Sequence, residues 1–386
     1  MADIKPVRKY STGLAEFQTG DTIGLSDGGT GADNATDART NLGVYSTSEV
    51  DSLVSGGDLA SAHEVVTGHI NRDDSEFVWD TGTRTVTIQP KSPATQFQYY
   101  CANTLCTIST SASYQWPDTT GKYTLVLDDQ GNLAPPSFSG SYVRNLLYDN
   151  AITVILYWNA TNQQLVLQGD ERHGYDMSPT THYYLHASLG TAFGSGLHIH
   201  DLAVEGNGSS DAHAQFAVEA GSVWDEDIQH PIAEKLTTDG IKLIYRDGSD
   251  NDWVKVDNHQ FLAYNGTLPS SNRAYYNEWT GTAWQLTEVT NLDYVVMHLF
   301  GSNDMDSPLI MVLGIAQYSN KNDVDANAKY EIGELYEHGL PSAEFKALGS
   351  FIMQTSGGYG NQVKSKLVST SGGLDYFDWR YQRTGH

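Results

Sequence analysis

The 386 residues carry 47 acidic against 22 basic side chains, a formal net charge of −25 that excludes a broad cationic face for nucleic acid and disfavours anionic membrane surfaces. Charged residues make up 18% of the chain, below the usual share of about a quarter, and with 37 glycines and 23 tyrosines this is the composition of an ordered, loop-rich β protein. The length leaves room for two or three domains.

No apolar run approaches the ~18 residues of a membrane span. The stretch Met1-Ala2-Asp3-Ile4-Lys5-Pro6 lacks the apolar core of a signal peptide. The expectation is a protein made in a cytoplasm without membrane insertion, in which the sequons at Asn34, Asn159, Asn207 and Asn265 carry no information.

Residues 1–70 differ from the rest in having few aromatics and many Gly, Ser, Thr and Asp. Gly28, Gly29 and Gly31 form a flexible turn before a helix through Ala35, Ala38 and Leu42. Asp33 or Asn34 is its expected N-cap, and Gly43 its left-handed stop. Ser46-Thr47-Ser48-Glu49 is a capping box that opens a second short helix with Val50, Leu53 and Val54 on one face and Gly56-Gly57 beyond it. Helices this short are marginal in water and need a surface to dock on.

From about residue 72 the hydrophobic period becomes two, the signature of half-buried strands. Residues 76–80 and 84–88 flank a turn at Thr81-Gly82-Thr83. A strand at 122–127 runs into a polar turn at Asp128–Asn132. Residues 152–158 and 164–168 form another expected hairpin. The spacing predicts a β-sandwich-like domain over 71–172.

A larger β-rich domain is expected over 173–386. Its hairpins pair 242–246 with 253–256, across the acidic turn Asp247–Asp252, and 275–279 with 284–289. The most apolar strands, Tyr294–Phe300 and Leu309–Ala316, are its expected centre. A helix follows near 325–338, capped by Asp323 or Asp325, with Ala328, Ile332 and Leu335 inward and Gly339 then Pro341 at its end. No fixed-period repeat is present.

Two segments resemble known proteins. Asp27–Val44 (GGTGA…ARTNLG), with Glu16–Leu25 before it, resembles the short segment near the stem of tailed-phage tail-fibre and collar-type proteins. Tyr294–Phe300, Leu340–Phe345 and the closing Asp378-Trp379-Arg380 resemble the terminal domain of phage virion proteins labelled tail fibre or structural protein. The resemblance implies a mainly β homotrimer carried in the virion. Residues 1–45 would fasten it to other tail, neck or head proteins, and residues 173–386 would face outward towards a host surface glycan or protein. Two alternatives stay open: a head-fibre or capsid or neck decoration protein with no receptor role, and a polysaccharide-degrading tailspike. The tailspike reading lacks the long β-helical repeats usual in such proteins.

His173, His182, His186, His198 and His200 fall close together, and His198-Ile199-His200 would point two imidazoles to one side of a strand. In a trimer that pair would supply six nitrogens to one ion; the competing reading is partly buried strand histidines with satisfied nitrogens. Asp323-x-Asp325-x-Asn327 with Glu334 imitates a calcium loop but has Ala328 where the turn glycine belongs, which favours a helix cap. Cys101 and Cys106 read as two unpaired thiols. Glu205, Asp225, Glu226 and Asp227 are the first acids to test for paired-carboxylate glycoside cleavage, against a default reading as surface turn acids. Motifs of nucleophile elbows, phosphate loops and zinc proteases are missing. The aromatics Tyr183-Tyr184, Tyr275-Tyr276, Trp279, Trp284, Tyr376, Phe377 and Trp379 read mostly as core and subunit-contact residues. No catalytic, cofactor-binding or metal-binding residue is assigned, and no enzymatic activity is expected.

Overall fold

The computed structural model describes residues 7–10, 13–16, 30, 32, 34–46, 48–50, 65–136, 142–250, 252–266, 272–337 and 339–382. The protein is mainly β, with 43% strand and 15% helix, so sheets carry its cores. It divides into two compact units, 1–64 and 65–386.

In the first unit, helix α1 spans Ala35–Leu42. Asn34 caps it by accepting from the Asp37 N–H, and Gly43 ends it at φ +66°, as the sequence predicts. The Asn41 amide donates to the Thr30 carbonyl at 3.0 Å, tying the preceding turn to the helix. The capping box is also present: Glu49 accepts from the Ser46 N–H at 2.7 Å, and the Ser46 hydroxyl accepts from the Glu49 N–H. No residue of α1 is buried, and Leu42, Val44, Tyr45 and Val50 are exposed. The expected stripe residues Leu53 and Val54 lie outside the described residues.

The second unit is layered. An antiparallel sheet in the order Leu133–Ala134, Gly121–Leu127, Ala151–Asn159, Gln164–Asp170 includes the expected 152–168 hairpin. Every residue of Ala151–Asn159 is buried. Alternation explains why both faces are apolar: Val154, Leu156 and Trp158 pack with Val86, Ile88, Phe97, Tyr99 and Trp116, while Ile155 and Tyr157 face the other way. On that second face they join Ile244, Trp253, Phe300, Ile310 and Val312 of the next sheet in one core. The expected boundary near residue 172 therefore falls inside a shared core. Helix α2, Tyr142–Asp149, was not anticipated; its Leu146 and Leu147 pack on Val126 and Ile152.

The large sheet has seven strands. Its main path runs Asp252–His259, Ile241–Asp247, Leu309–Tyr318, Tyr294–Ser302, Phe345–Thr355 and Ser365–Val368, and Phe377–Asp378 pairs beside Phe345–Thr355. Only the Ile241–Asp247 and Leu309–Tyr318 pairing is parallel. The two most apolar strands are central, as their sequence predicts. Helix α3 covers Pro179–Ser188, where strand histidines were expected. Helix α4 covers Lys321–Glu337 with Ala328, Ile332 and Leu335 buried. It begins before the expected caps, because Asn320 accepts from the Asp323 N–H at 3.0 Å. A three-stranded sheet of Ala192–Ser195, Gly221–Asp225 and Ile228–Ile232 completes the surroundings of the polar cluster described next.

Candidate functional site

The segment leaving strand Gln164–Asp170 is held by an interlocked pair. Arg172 donates Nε and Nη2 to the two Asp170 oxygens at 2.7 Å each, and Nη1 to the Ser75 carbonyl at 2.6 Å and the Arg72 carbonyl at 2.8 Å. Burial alone would raise the Asp170 pKa, but the paired Arg172 and nearby Arg72 overrule it and bring it to about 2. Gly68 allows the chain to pass close by: at φ +121°, a Cβ there would lie 2.8 Å from the His173 carbonyl oxygen. The His69 N–H donates to that same carbonyl at 2.8 Å. These contacts fix Glu171 and His173 deep in the protein.

Three other elements converge on them. Helix α3 starts on Ser178, whose hydroxyl accepts from the Thr181 N–H, with Pro179 in the first turn. It carries His182 and His186 one turn apart, on one face. The two-residue turn joining Gly221–Asp225 to Ile228–Ile232 supplies Glu226 and Asp227. Glu226 has φ +45°, a left-handed angle that a β-carbon resists, and a hairpin with such a first turn residue would ordinarily place glycine there. Glu344 immediately precedes strand Phe345–Thr355, its N–H held by the Ser342 hydroxyl at 2.9 Å.

Outer partners take one atom of most of these groups. Asp227 bonds His173 Nδ1 at 2.6 Å and accepts from the Gly174 N–H at 2.7 Å. The Asn303 amide donates to Glu171 Oε1 at 2.8 Å and to Asp225 Oδ2 at 3.0 Å. The Thr191 hydroxyl donates to Glu344 Oε2 at 2.8 Å. Their second atoms are left over: Glu171 Oε2, His173 Nε2, Asp225 Oδ1 and Glu344 Oε1, with His186 Nδ1 and both Glu226 oxygens, are buried and have no hydrogen-bond partner among the described residues.

These atoms nevertheless lie close to one another. His173 Nε2 is 3.4 Å from Glu171 Oε2 and 3.7 Å from Glu226 Oε2, and His182 Nε2 is 4.0 Å from that same Glu226 oxygen. His186 Nδ1 is 3.5 Å from Glu226 Oε1 and 3.1 Å from Glu344 Oε1. The His186–Glu344 pair is near enough for a hydrogen bond and is not aligned for one.

Electrostatics follow from the crowding. Burial pulls the His173 imidazole down, but the Asp227 hydrogen bond and facing Glu171 and Glu226 outweigh it and raise its pKa to about 10. His186, beside Glu226 and Glu344, is raised against its own desolvation to about 11. Asp225 is pushed well above the carboxylate range, first by burial and then by Glu344, Glu171 and Glu226. Glu171 moves up as well, mainly through burial. His182 is pushed well down by burial and by its two histidine neighbours. Four carboxylates gathered out of water call for positive charge, which protons or a cation can supply. Imidazole nitrogens with carboxylate oxygens are a donor set for first-row transition metals.

The other sequence candidates lie elsewhere. His198 and His200 stack at 6.2 Å between ring centroids, with His198 exposed and paired loosely with Glu219. Glu205 is exposed and accepts from the Ser369 N–H at 3.1 Å. Of the four acids first singled out, Asp225, Glu226 and Asp227 meet, and the surface-turn reading is overturned for Asp225 and for the Glu226 side chain, both of which are buried. The calcium-loop imitation does not form: Asp323 and Asn327 belong to α4, where the Asn327 amide donates to the Asp323 carbonyl at 2.7 Å, and Asp325 accepts from the Ser371 N–H. Cys101 and Cys106 are buried free thiols, and burial raises Cys101 to about 11. Tyr275, Tyr276, Trp284 and Trp379 are buried, whereas Tyr183, Tyr184 and Trp279 are exposed.

Sequence reasoning missed Glu171 and Glu344, which lie 173 positions apart and give no local signal. It also missed a second buried network. His298 Nδ1 lies 2.8 Å from Ser350 Oγ, and His298 Nε2 lies 3.3 Å from Glu331 Oε2. These are the residue types of a nucleophilic triad, but all three are fully buried, and a nucleophile needs access to its substrate. Ser350 also accepts from the Trp379 indole at 2.6 Å, and Glu331 accepts from the Ile315 N–H and the Tyr318 hydroxyl. The network ties α4 and the C-terminal Asp378-Trp379-Arg380 to the large sheet.

Among the described residues no helix is long and apolar enough to cross a membrane. No protein-family model, curated protein or solved structure matches this chain.

Proposed function

We propose that this chain is a non-enzymatic structural protein of a phage particle, of the tail-fibre, receptor-binding or collar-fibre class, fastened through residues 1–45. The observation that carries the reading is the state of α1. It is capped at both ends, yet buries none of its own residues and leaves Leu42, Val44 and Tyr45 exposed. Among the described residues, the cores of the second unit are built from residues between Val86 and Trp379. A short, capped helix with unspent apolar side chains is suited to docking on a sister chain or on another particle protein.

On this reading the protein is a homotrimer resident in the virion, built of an N-terminal attachment segment and β-sandwich-like domains. Residues 173–386 face outward, where a host surface glycan or protein is their partner. The charge balance supports protein or glycan contacts over nucleic acid. Particles assembled with a chain lacking residues 1–45 test the attachment. Loss of the protein from purified particles is expected, while the same truncated chain stays folded in solution. Retention in particles would overturn the assignment.

A further inference from the structure

The imidazole nitrogens of the polar cluster sort by the oxygen of Glu226 that they face. Oε2 faces His173 Nε2 and His182 Nε2; Oε1 faces His186 Nδ1, which in turn faces Glu344 Oε1. In each set, His173–His182–Glu226 and His186–Glu226–Glu344, the donor atoms all lie within 4.8 Å of one another. We propose that the cluster is a dinuclear centre for divalent first-row transition metals, with Glu226 bridging one ion held by His173 and His182 to a second held by His186 and Glu344.

Donor spacing supports this. Metal–ligand bonds of about 2.0–2.2 Å place neighbouring donors about 2.8–3.6 Å apart in octahedral or tetrahedral sites. The separations of 3.1, 3.5, 3.7 and 4.0 Å are at that range or a few tenths of an ångström above it. The surrounding shell supports it as well. Asp227 holds His173 by Nδ1 and leaves Nε2 for an ion, and Thr191 holds Glu344 by Oε2 and leaves Oε1. Such outer partners fix the orientation and basicity of metal ligands. Glu171 and Asp225, each steadied by Asn303 through one oxygen, form a third set with His173 that completes the first ion's surroundings. The left-handed angle at Glu226 is a further sign, since backbone strain persists where a side chain must be aimed.

Mixed imidazole and carboxylate donors select Mn²⁺, Fe²⁺ or Zn²⁺ over Mg²⁺ or Ca²⁺, and no thiolate shares the site. His186 retains partial exposure, with 27% of its side-chain surface open, and marks the side from which ions enter. This proposal is independent of any role in a particle.

The test is metal analysis of the full-length protein purified without chelator, then titration of chelator-stripped protein with Mn²⁺ and with Zn²⁺, followed by calorimetry and thermal melting. Two equivalents per chain and a rise in Tm are expected with at least one of these metals. His186→Gln should bind one equivalent, and Glu226→Gln should weaken both sites at least tenfold. The double variant His198→Gln/His200→Gln should still bind two. Circular dichroism of each metal-free variant checks that folding is intact, and His186→Gln is the safest because its side chain is the least buried of the ligands. Absence of stoichiometric metal before and after titration would overturn the proposal. A single equivalent in the unaltered protein would overturn the bridge.

Discussion

At the scale of single residues, the same side chain type takes opposite states according to what faces it. His173 and His186 meet carboxylates and are raised, whereas His259 meets none. Its ring is pushed down to about 4, chiefly by burial, and as the neutral tautomer it donates Nε2–H to the Ala263 carbonyl at 3.1 Å. The unfolded chain titrates that histidine near 6.5. Because the folded value is the lower one, the unfolded state binds the extra proton first as pH falls. The contribution of His259 is therefore complete above about pH 6.5 and is lost progressively as pH drops towards 4, at up to about 1.4 kcal/mol per pH unit within the window. Urea midpoints measured across pH 4 to 7 should fall more steeply for the unaltered protein than for His259→Gln, which keeps a donor but does not titrate. Parallel curves would show that His259 takes up its proton alike in the folded and unfolded chains. The sequence could not show these differences, since all thirteen histidines look alike until their neighbours are placed.

At the scale of elements, many strands were legible, whereas Phe97–Cys101, Gly221–Asp225, Ile228–Ile232, the long Phe345–Thr355 and two helices were not. Continuous apolar runs such as Ile152–Trp158 and Val295–Phe300 carry no period of their own, but their short length and β-branched and aromatic content favour a buried strand. Helix α3 reads Pro-Thr-Thr-His-Tyr-Tyr-Leu-His-Ala-Ser, rich in residues of poor helix propensity, and its aromatics imitate a strand. What marks it is the start, Ser178 followed by Pro179, and the four-residue interval between His182 and His186. The polar cluster was half legible for the same reason. Its histidines and the Asp225-Glu226-Asp227 turn stand out in sequence, but only the folded sheets bring Glu171 and Glu344 to them. For α4, the cap at Asn320 makes a direct prediction. Asn320 is exposed and its carbonyl oxygen accepts from the Asp323 N–H. Asn320→Ala should destabilise the protein by about 1 kcal/mol, and Asn320→Asp by much less. Chemical denaturation of both variants checks this, and equal losses would show that the side-chain oxygen is not what holds the helix start.

At the scale of the whole molecule, the question is how far cooperativity extends across residues 65–386. Chains of this length commonly melt in parts, each with its own core. Here the hairpin Ala151–Asp170 has two buried faces that serve different neighbours. Leu156 and Trp158 belong with Phe97, Tyr99 and Trp116, whereas Tyr157 and Val166 belong with Phe300, Ile310 and Trp253 of the large sheet. Polar bonds run across the same seam: the Asn159 amide donates to the Trp253 carbonyl at 2.9 Å, and the Trp253 N–H donates to the Tyr157 hydroxyl at 3.2 Å. Separating residues up to 172 from those after it would strip one face of that hairpin and expose Ile155, Tyr157 and Leu167 to water. Fully burying a side chain of this size is worth about 1.5–3 kcal/mol, so the penalty over several of them rivals the net stability of a typical domain. Residues 65–386 should consequently unfold in a single calorimetric transition, with the calorimetric enthalpy equal to the van't Hoff value, and the fragment 173–386 should not give a cooperative transition alone. Two resolved transitions, or a fragment that melts cooperatively at the temperature of the intact chain, would show that the seam is an interface between independent domains.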